Sequence, residues 1–267
     1  MTFLGLENRT VLVAGLANKK SIAWFVHQAL VEAGARVVHA VKTQELARDA
    51  AKLVGDAPVL VCDVSRQEQI DALPGELARR NLRLDGLVHS LAFANYSRGV
   101  RPFHETERAD FLEAVDVSCY SLIALARALE PSFAPRASVV ALSISHTHFA
   151  AESYGYMAPV KAALDAAVVF LAKSLAARGV RVNSVKAGPL KTSSSAGIPG
   201  YLENYLFAEM ATLRHRALAT QEVADAVLFL LSERSSGIDA QGLIVDAGMG
   251  VNLFDRAIVE RATRPEA

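Results

Sequence analysis

Cysteine is scarce in this chain: two residues in 267, Cys62 and Cys119, neither in CxxC spacing nor beside a histidine. That excludes a disulfide framework and a cysteine-based metal site, and it predicts two buried free thiols in a reducing compartment. Net charge is missing too. Lysine plus arginine and aspartate plus glutamate both number 28, so the formal charge is zero and nothing favours a nucleic acid as partner. No apolar run approaches the roughly 18 residues of a membrane span. The amino terminus, Met1-Thr2-Phe3-Leu4-Gly5-Leu6-Glu7-Asn8, lacks the basic region and apolar core of a signal peptide, so a cytoplasmic protein is expected. The G-x-G-x-x-G turn of many dinucleotide-binding proteins is also absent.

What is present is ample material for a core: 52% of the residues are apolar and 21% charged, suited to one α/β domain over residues 1–267. Short β-branched runs recur at Val11–Ala14, Val37-Val38, Val59–Val61, Gly86–Val88, Ser138–Leu142, Val180–Val182 and Leu243–Val245. Runs that are apolar on both faces suit a buried parallel sheet. Helical patterns such as Ser21 to Ala33 and Glu107 to Leu129 lie between them, with Gly34 stopping the first. The alternation predicts a doubly wound, seven-stranded parallel sheet with helices on both faces. Thr192 to Gly200 is different, rich in small residues and turn formers, and precedes an apolar stretch from Tyr201 to Phe207. A mobile flap and short helix are expected there, a lid over about 192–215. Residues 261–267 read as a solvated tail.

Tyr154 and Lys161 stand seven positions apart, nearly two helical turns, so on one helix they would share a face. A phenol beside a fixed cation can hydrogen-bond a developing oxyanion. Chance supplies such pairs, so the surroundings decide its weight. The first strand ends in Gly15-Leu16-Ala17-Asn18-Lys19-Lys20-Ser21-Ile22-Ala23, a small-residue turn whose amides can approach a pyrophosphate at a helix's positive end. Asp63 ends the third strand, placed either to accept from an adenine amino group or to cap the next helix. His89 opens the segment after the fourth strand and reads as structural. Ala187-Gly188-Pro189-Leu190-Lys191-Thr192 ends the sixth, where Leu190 can offer backbone groups to a carboxamide and Thr192 a hydroxyl to a phosphate.

Taken in order, these segments resemble the short-chain dehydrogenase/reductase superfamily, and within it the enoyl-acyl-carrier-protein reductases of bacterial type II fatty acid synthesis. That branch has G-x-x-x-x-x-S-I-A, matched by Gly15, Ser21, Ile22 and Ala23. It has H-S-[IL]-[GA]-F-A, matched by His89 to Ala94, and A-G-P-[IL]-[KR]-T, matched by Ala187 to Thr192. It uses Y-x6-K where most of the superfamily has Y-x3-K. The resemblance covers about residues 3–254. It implies a Rossmann-like fold and reduction of a trans-2-enoyl thioester on acyl carrier protein or coenzyme A, with Tyr154 stabilising the enolate and Lys161 holding the nicotinamide ribose. It further implies cofactor contacts from Gly15, Ala17, Ser21, Ile22, Lys42, Asp63, Val64, Ser90, Leu91, Ala92, Ala187, Gly188, Pro189, Leu190 and Thr192. The acyl channel falls to Phe93, Ala94, Ile144, Met157, Ile198 and Phe207. The superfamily implies a homotetramer, to which the apolar density of Ala162 to Ala177 and Leu243 to Val251 is suited.

The chain departs from that pattern at several points. Ile144 stands ten positions before Tyr154, where the family carries an aromatic ring. Gly155-Tyr156-Met157-Ala158 replaces the usual N-[VY]-M-G, and Pro159 follows in what reads as a helix's first turn. His146 and His148 are additions, expected to be solvent-exposed, with a substrate contact as the alternative. The cofactor is NADH or NADPH, and Lys42, placed where NADPH-using relatives carry a base for the 2′-phosphate, tips the expectation toward NADPH. Two other readings compete: a related reductase acting on another enone or carbonyl in specialised metabolism, and a non-catalytic dinucleotide sensor. A sensor has no need of both Tyr154 and Lys161.

Overall fold

Strand residues that are apolar on both sides need a helix layer on each face, and the computed structural model supplies two. It describes residues 3–192 and 194–263, and of Ser153 only the backbone. Residues 264–267 of the expected tail and Ser193 of the expected flap lie outside the described residues, as do Met1 and Thr2.

In chain order the elements are β1 (Thr10–Ala14), α1 (Ile22–Glu32), β2 (Arg36–Val41), α2 (Gln44–Val54), β3 (Val59–Val61), α3 (Gln67–Arg79) and β4 (Leu84–His89). There follow α4 (Arg108–Val115), α5 (Ser121–Leu129), β5 (Phe133–Ile144), α6 (Met157–Leu175), β6 (Arg181–Ala187), α7 (Tyr201–Ala211), α8 (Thr220–Leu231), β7 (Gly242–Val245) and α9 (Arg256–Thr263). The strands form one seven-stranded sheet in the order β3-β2-β1-β4-β5-β6-β7, with all neighbours parallel.

The period-2 alternation of strands sorts the core into two clusters. Val11 and Val13 of β1, with Val88 and Val140, meet α1, α2 and α8 through Val26, Ala50 and Val227. Leu12, Leu87 and Val139 point the other way, against α3, α5 and α6 through Leu73, Leu125 and Leu164. Every strand run read from the sequence is present, although β5 is longer than its apolar stretch.

Two expectations need correction. The helix expected from Glu107 to Leu129 is interrupted by a π-helical turn at Asp116–Tyr120, where Ser121 Oγ donates to the Val117 carbonyl at 2.7 Å. The first residues of the expected tail, Arg261 to Thr263, belong to α9. Among the described residues no helix is long and apolar enough to cross a membrane. The strand order reverses between β1 and β4, and at such a switch point the connections on either side leave in opposite directions and open a crevice at the carboxyl ends of the strands.

Candidate active site

That crevice is a cleft of about 330 Å³. Its walls come from the segments after β1 (Gly15, Ala17, Ser21, Ile22), after β4 (Ser90 to Ala94) and after β6 (Ala187, Gly188, Leu190, Thr192), with Ile144, Tyr154, Met157, Lys161 and Ile198 completing it. Most of the residues chosen from the sequence, from motifs more than a hundred residues apart, therefore meet at one place.

The turn after β1 is shaped for close approach to a ligand. Gly15 has φ +104, and a Cβ there would lie 2.1 Å from the Ser90 carbonyl oxygen, so no other residue fits. Ser21 is the N-cap of α1 but makes no side-chain cap bond, and the first turn holds no acidic residue. The free amides and positive end of α1 thus face the cleft, which suits the pyrophosphate of a dinucleotide.

Lys161 is 3% exposed, and its Nζ donates to the carbonyls of Leu142 at 2.8 Å and Leu91 at 3.3 Å. Burial pushes its pKa down to about 8, against the opposing pull of Asp165. Burial drives the Tyr154 phenol the other way, well above its ordinary value, and the nearby phenols of Tyr96 and Tyr201 add to the rise. Tyr154 is therefore a protonated hydrogen-bond donor at neutral pH, and Lys161 a cation fixed under the cleft floor.

Tyr154 and Lys161 do not share a helix, contrary to the spacing argument. Tyr154 ends a 3-10 turn (Glu152–Tyr154), while α6 begins at Met157 with Pro159 harmlessly in its first turn. Gly155 (φ 54, ψ −132) and Tyr156 (φ −77, ψ −5) are the central residues of a type II′ turn, whose first central position favours glycine. The pair converges because this turn aims Tyr154 back into the cleft.

The segment after β4 is anchored from below by the π-helical turn. Ser118 Oγ accepts from the Phe93 amide at 2.9 Å and lies 3.2 Å from its carbonyl. His89 is fully buried, with Nε2 2.7 Å from Ser121 Oγ. Burial first, and then the Lys161 charge, push its pKa to about 3, so it is a neutral structural group, as the sequence reading has it.

Several chosen residues lie elsewhere. Lys42, Asp63 and Val64 are outside the lined cleft, near the ends of β2 and β3. Asp63 does not cap α3, whose N-cap is Arg66; its Oδ1 accepts from the amide and hydroxyl of Ser65, and Lys42 Nζ is 3.9 Å from its Oδ2. Pro189 lines a separate small crevice beside Tyr205 and Asp246, and Phe207, 57% exposed on α7, points to solvent. His146 is not solvent-exposed as expected: its Nε2 is 3.1 Å from Asp246 Oδ2 and its ring stacks on Phe149 at 4.5 Å. Asp246 also accepts from the amides of Gly248 and Gly250, so His146 ties the loop after β5 to the segment after β7. His148 is exposed. Both thiols are buried and free, and burial, with the adjacent Asp63 charge second, pushes Cys62 up to about 12.

Three lining residues escaped the sequence reading, Tyr96, Leu142 and Ser143; Ser194, Ser195, Gly197 and Tyr201 fall within the expected lid but were not singled out as contacts. Tyr201 matters most. Its hydroxyl accepts from the Leu190 amide at 2.9 Å and donates to the Leu190 carbonyl at 2.9 Å, taking the backbone pair assigned to a carboxamide. Thr192 likewise turns its hydroxyl to Ser195, whose amide donates to it at 3.2 Å. The signal for Tyr201 was its place just after the turn-forming Gly200; for Tyr96 no spacing pointed to the site.

A family model described as Enoyl-(Acyl carrier protein) reductase matches residues 15–250. The enoyl-[acyl-carrier-protein] reductase [NADH] FabI of Bacillus subtilis is 34% identical over 251 residues, covering 92% of this chain and 97% of that protein. The [NADPH] FabI of Staphylococcus aureus is 33% identical over 250 residues, covering 92% and 98%. Among solved structures, the enoyl-[acyl-carrier-protein] reductase (NADH) of Aquifex aeolicus superposes with a TM-score of 0.88 at 32% identity, covering 92% of this chain and 98% of that one.

Proposed function

The chain belongs to the enoyl-acyl-carrier-protein reductase family, and we propose that it reduces the 2,3 double bond of a trans-2-enoyl thioester on acyl carrier protein, in fatty acid biosynthesis, with Tyr154 as oxyanion donor. The observation that carries this reading is the convergence of Tyr154, Lys161 and the uncapped start of α1 on one cleft. NADH or NADPH, when bound, supplies the hydride for the β-carbon. The chain's residues do the rest. Addition at that carbon moves negative charge onto the thioester oxygen, where the Tyr154 hydroxyl donates a hydrogen bond that strengthens as the charge develops. Lys161, held by two carbonyls, presents its remaining proton to the ribose hydroxyls, and Gly15 to Ile22 receive the phosphates. Phe93, Met157 and Ile198 exclude water around the acyl chain.

Residues 192–215 act as the lid. Lys42, exposed after β2, is available for a 2′-phosphate, which favours NADPH. The chain assembles as a homotetramer: Phe170 on α6 is 77% exposed, and Leu243 and Ile244 lie bare on β7, the open edge of the sheet. One observation favours a second reading. Ile144 lines the cleft where relatives carry a ring, so the space beside the thioester is reshaped and another enone is a competing substrate.

The test is oxidation of NADH and NADPH followed at 340 nm with crotonyl and longer enoyl thioesters, wild type beside Tyr154→Phe. Turnover is expected, with kcat lowered roughly 10²–10³-fold in the variant, the usual loss for one oxyanion donor. Cofactor binding without turnover of any enoyl thioester refutes the proposal, and reduction of a different enone moves the assignment to the second reading.

A further inference from the structure

Tyr154 carries the proposed chemistry, yet the helix that follows does not hold it. The type II′ turn at Gly155 and Tyr156 takes the Tyr154 carbonyl out of line with α6; the Tyr156 carbonyl is the one that accepts from Val160, at 3.3 Å. A partly buried carbonyl with no helical amide needs another donor. The Tyr96 hydroxyl, from the segment after β4, meets that need at 3.0 Å.

The reverse contact is made next door. Tyr156 Oη accepts from the Asn95 amide at 2.8 Å and lies 3.2 Å from the Asn95 carbonyl, while Asn95 Nδ2 donates to Asp110 at 3.0 Å. The rings of Tyr96 and Tyr156 stack with centroids 6.2 Å apart and planes 23° from parallel. Two neighbours in one loop thus grip alternate residues of the other, Asn95 with Tyr156 and Tyr96 with Tyr154.

We infer that Tyr96 is a positioning residue for the reduction: by fixing the Tyr154–Gly155 peptide plane, it sets the direction in which the Tyr154 phenol enters the cleft. The inference rests on Tyr154 being the oxyanion donor. Its physical ground is that a donor must be held to within about 0.5 Å of the developing charge, and the Tyr154–Gly155 peptide is held at its two ends: the Gly155 amide donates to the Glu152 carbonyl at 3.1 Å, and the carbonyl end is held by Tyr96. Tyr96 serves this role from sixty residues away in sequence, where no motif marks it. The ring stack and the hydroxyl are separable, so Tyr96→Phe keeps the packing and removes only the grip on the carbonyl.

The experiment compares wild type, Tyr96→Phe, Tyr154→Phe and the double variant. Tyr96→Phe is expected to lower kcat about fivefold, the size of one lost hydrogen bond, with enoyl KM and NAD(P)H Kd within about twofold of wild type. In the Tyr154→Phe background the same change is expected to do nothing, because there is no phenol left to aim. An unchanged kcat overturns the inference. So does an equal loss in both backgrounds, or a raised enoyl KM at constant kcat, which makes Tyr96 a substrate contact. A second readout needs no substrate: the 13Cζ resonance of Tyr154, assigned by its loss in Tyr154→Phe, is expected to shift or broaden in Tyr96→Phe, and an unmoved line overturns the inference. Should wild type turn over no enoyl thioester, the functional reading fails alone and this resonance decides the role of Tyr96.

Discussion

Lys161 makes the sharpest quantitative prediction, because its charge is buried in the free protein. Its pKa is about 8 in the folded chain, against the ordinary lysine value of 10.5 that an unfolded chain takes. The sign follows from linkage. Below pH 8 both states carry the proton and the folded state bears the full cost of the buried ammonium. Between pH 8 and 10.5 the folded state sheds its proton first, so the unfolded state binds more protons and stability rises with pH. The 2.5-unit difference corresponds to about 3 kcal/mol in all, somewhat under half of it reached by pH 9. Urea unfolding of wild type and Lys161→Met at pH 7.5, 9 and 10 isolates this contribution, since other titrating groups cancel in the difference. Wild type should gain on the variant by about 1 kcal/mol at pH 9 and about 2 kcal/mol at pH 10. The same ionisation governs the cofactor: wild-type affinity for NAD(P)H should weaken about fivefold from pH 8 to pH 9, while that of Lys161→Met stays flat. Parallel stability curves through pH 8–10 would refute the burial argument, because they would mean that Lys161 keeps an ordinary pKa.

Tyr201→Phe should tighten NAD(P)H binding about fivefold by fluorescence titration, because it frees the Leu190 amide that the hydroxyl now occupies at 2.9 Å, while the Leu190 carbonyl still accepts from Ser195 Oγ at 2.8 Å; equal affinities would show that the contact does not compete. Gly15→Ala should abolish detectable cofactor binding, since its Cβ would fall 2.1 Å from the Ser90 oxygen, at a backbone angle that side chains avoid; retained binding in a titration refutes the close-approach argument. Gly155→Ala has open space for its methyl group but the wrong backbone angles, so about 1–3 kcal/mol of strain is expected, read as a loss in unfolding free energy together with lower kcat. Stability unchanged by that substitution would mean that the II′ turn is not required.

A chain matched over 92% of its length by the FabI of Bacillus subtilis at 34% identity, and superposing on the Aquifex aeolicus enzyme with a TM-score of 0.88, shares their architecture. Around Tyr154, Ile144 lines the strand side of the cleft, Tyr96 and Tyr201 bring phenols into it from the loops, and Tyr156 binds Asn95. The resulting site is more aromatic on its loop side and less so on its strand side than the sequence pattern implied.

Much of this was legible in the linear chain, for a local reason. Strand runs such as Val11–Ala14 declare themselves because a parallel strand is apolar on both faces, and the cradle at Gly15 to Ile22 because close backbone approach demands small residues in consecutive order. His89 could be read as structural because an imidazole at the end of a buried strand has little access to solvent. What local pattern could not supply was the partner each group would find. Seven-residue spacing implied a shared helix for Tyr154 and Lys161, but Gly155 at φ +54 breaks the helix and a turn brings the pair together instead. His146 looked like a loop histidine until the fold brought it to Asp246, one hundred residues away. Tyr96 and Tyr201 carried no motif, since hydroxyls that bind backbone carbonyls can come from anywhere in the chain. The sequence by itself determined the sheet, the cofactor turn and the family of reaction, because these depend on consecutive residues. Only the tertiary structure decided how Tyr154 is held and what occupies Leu190, because those contacts join segments that become neighbours only once the sheet has assembled.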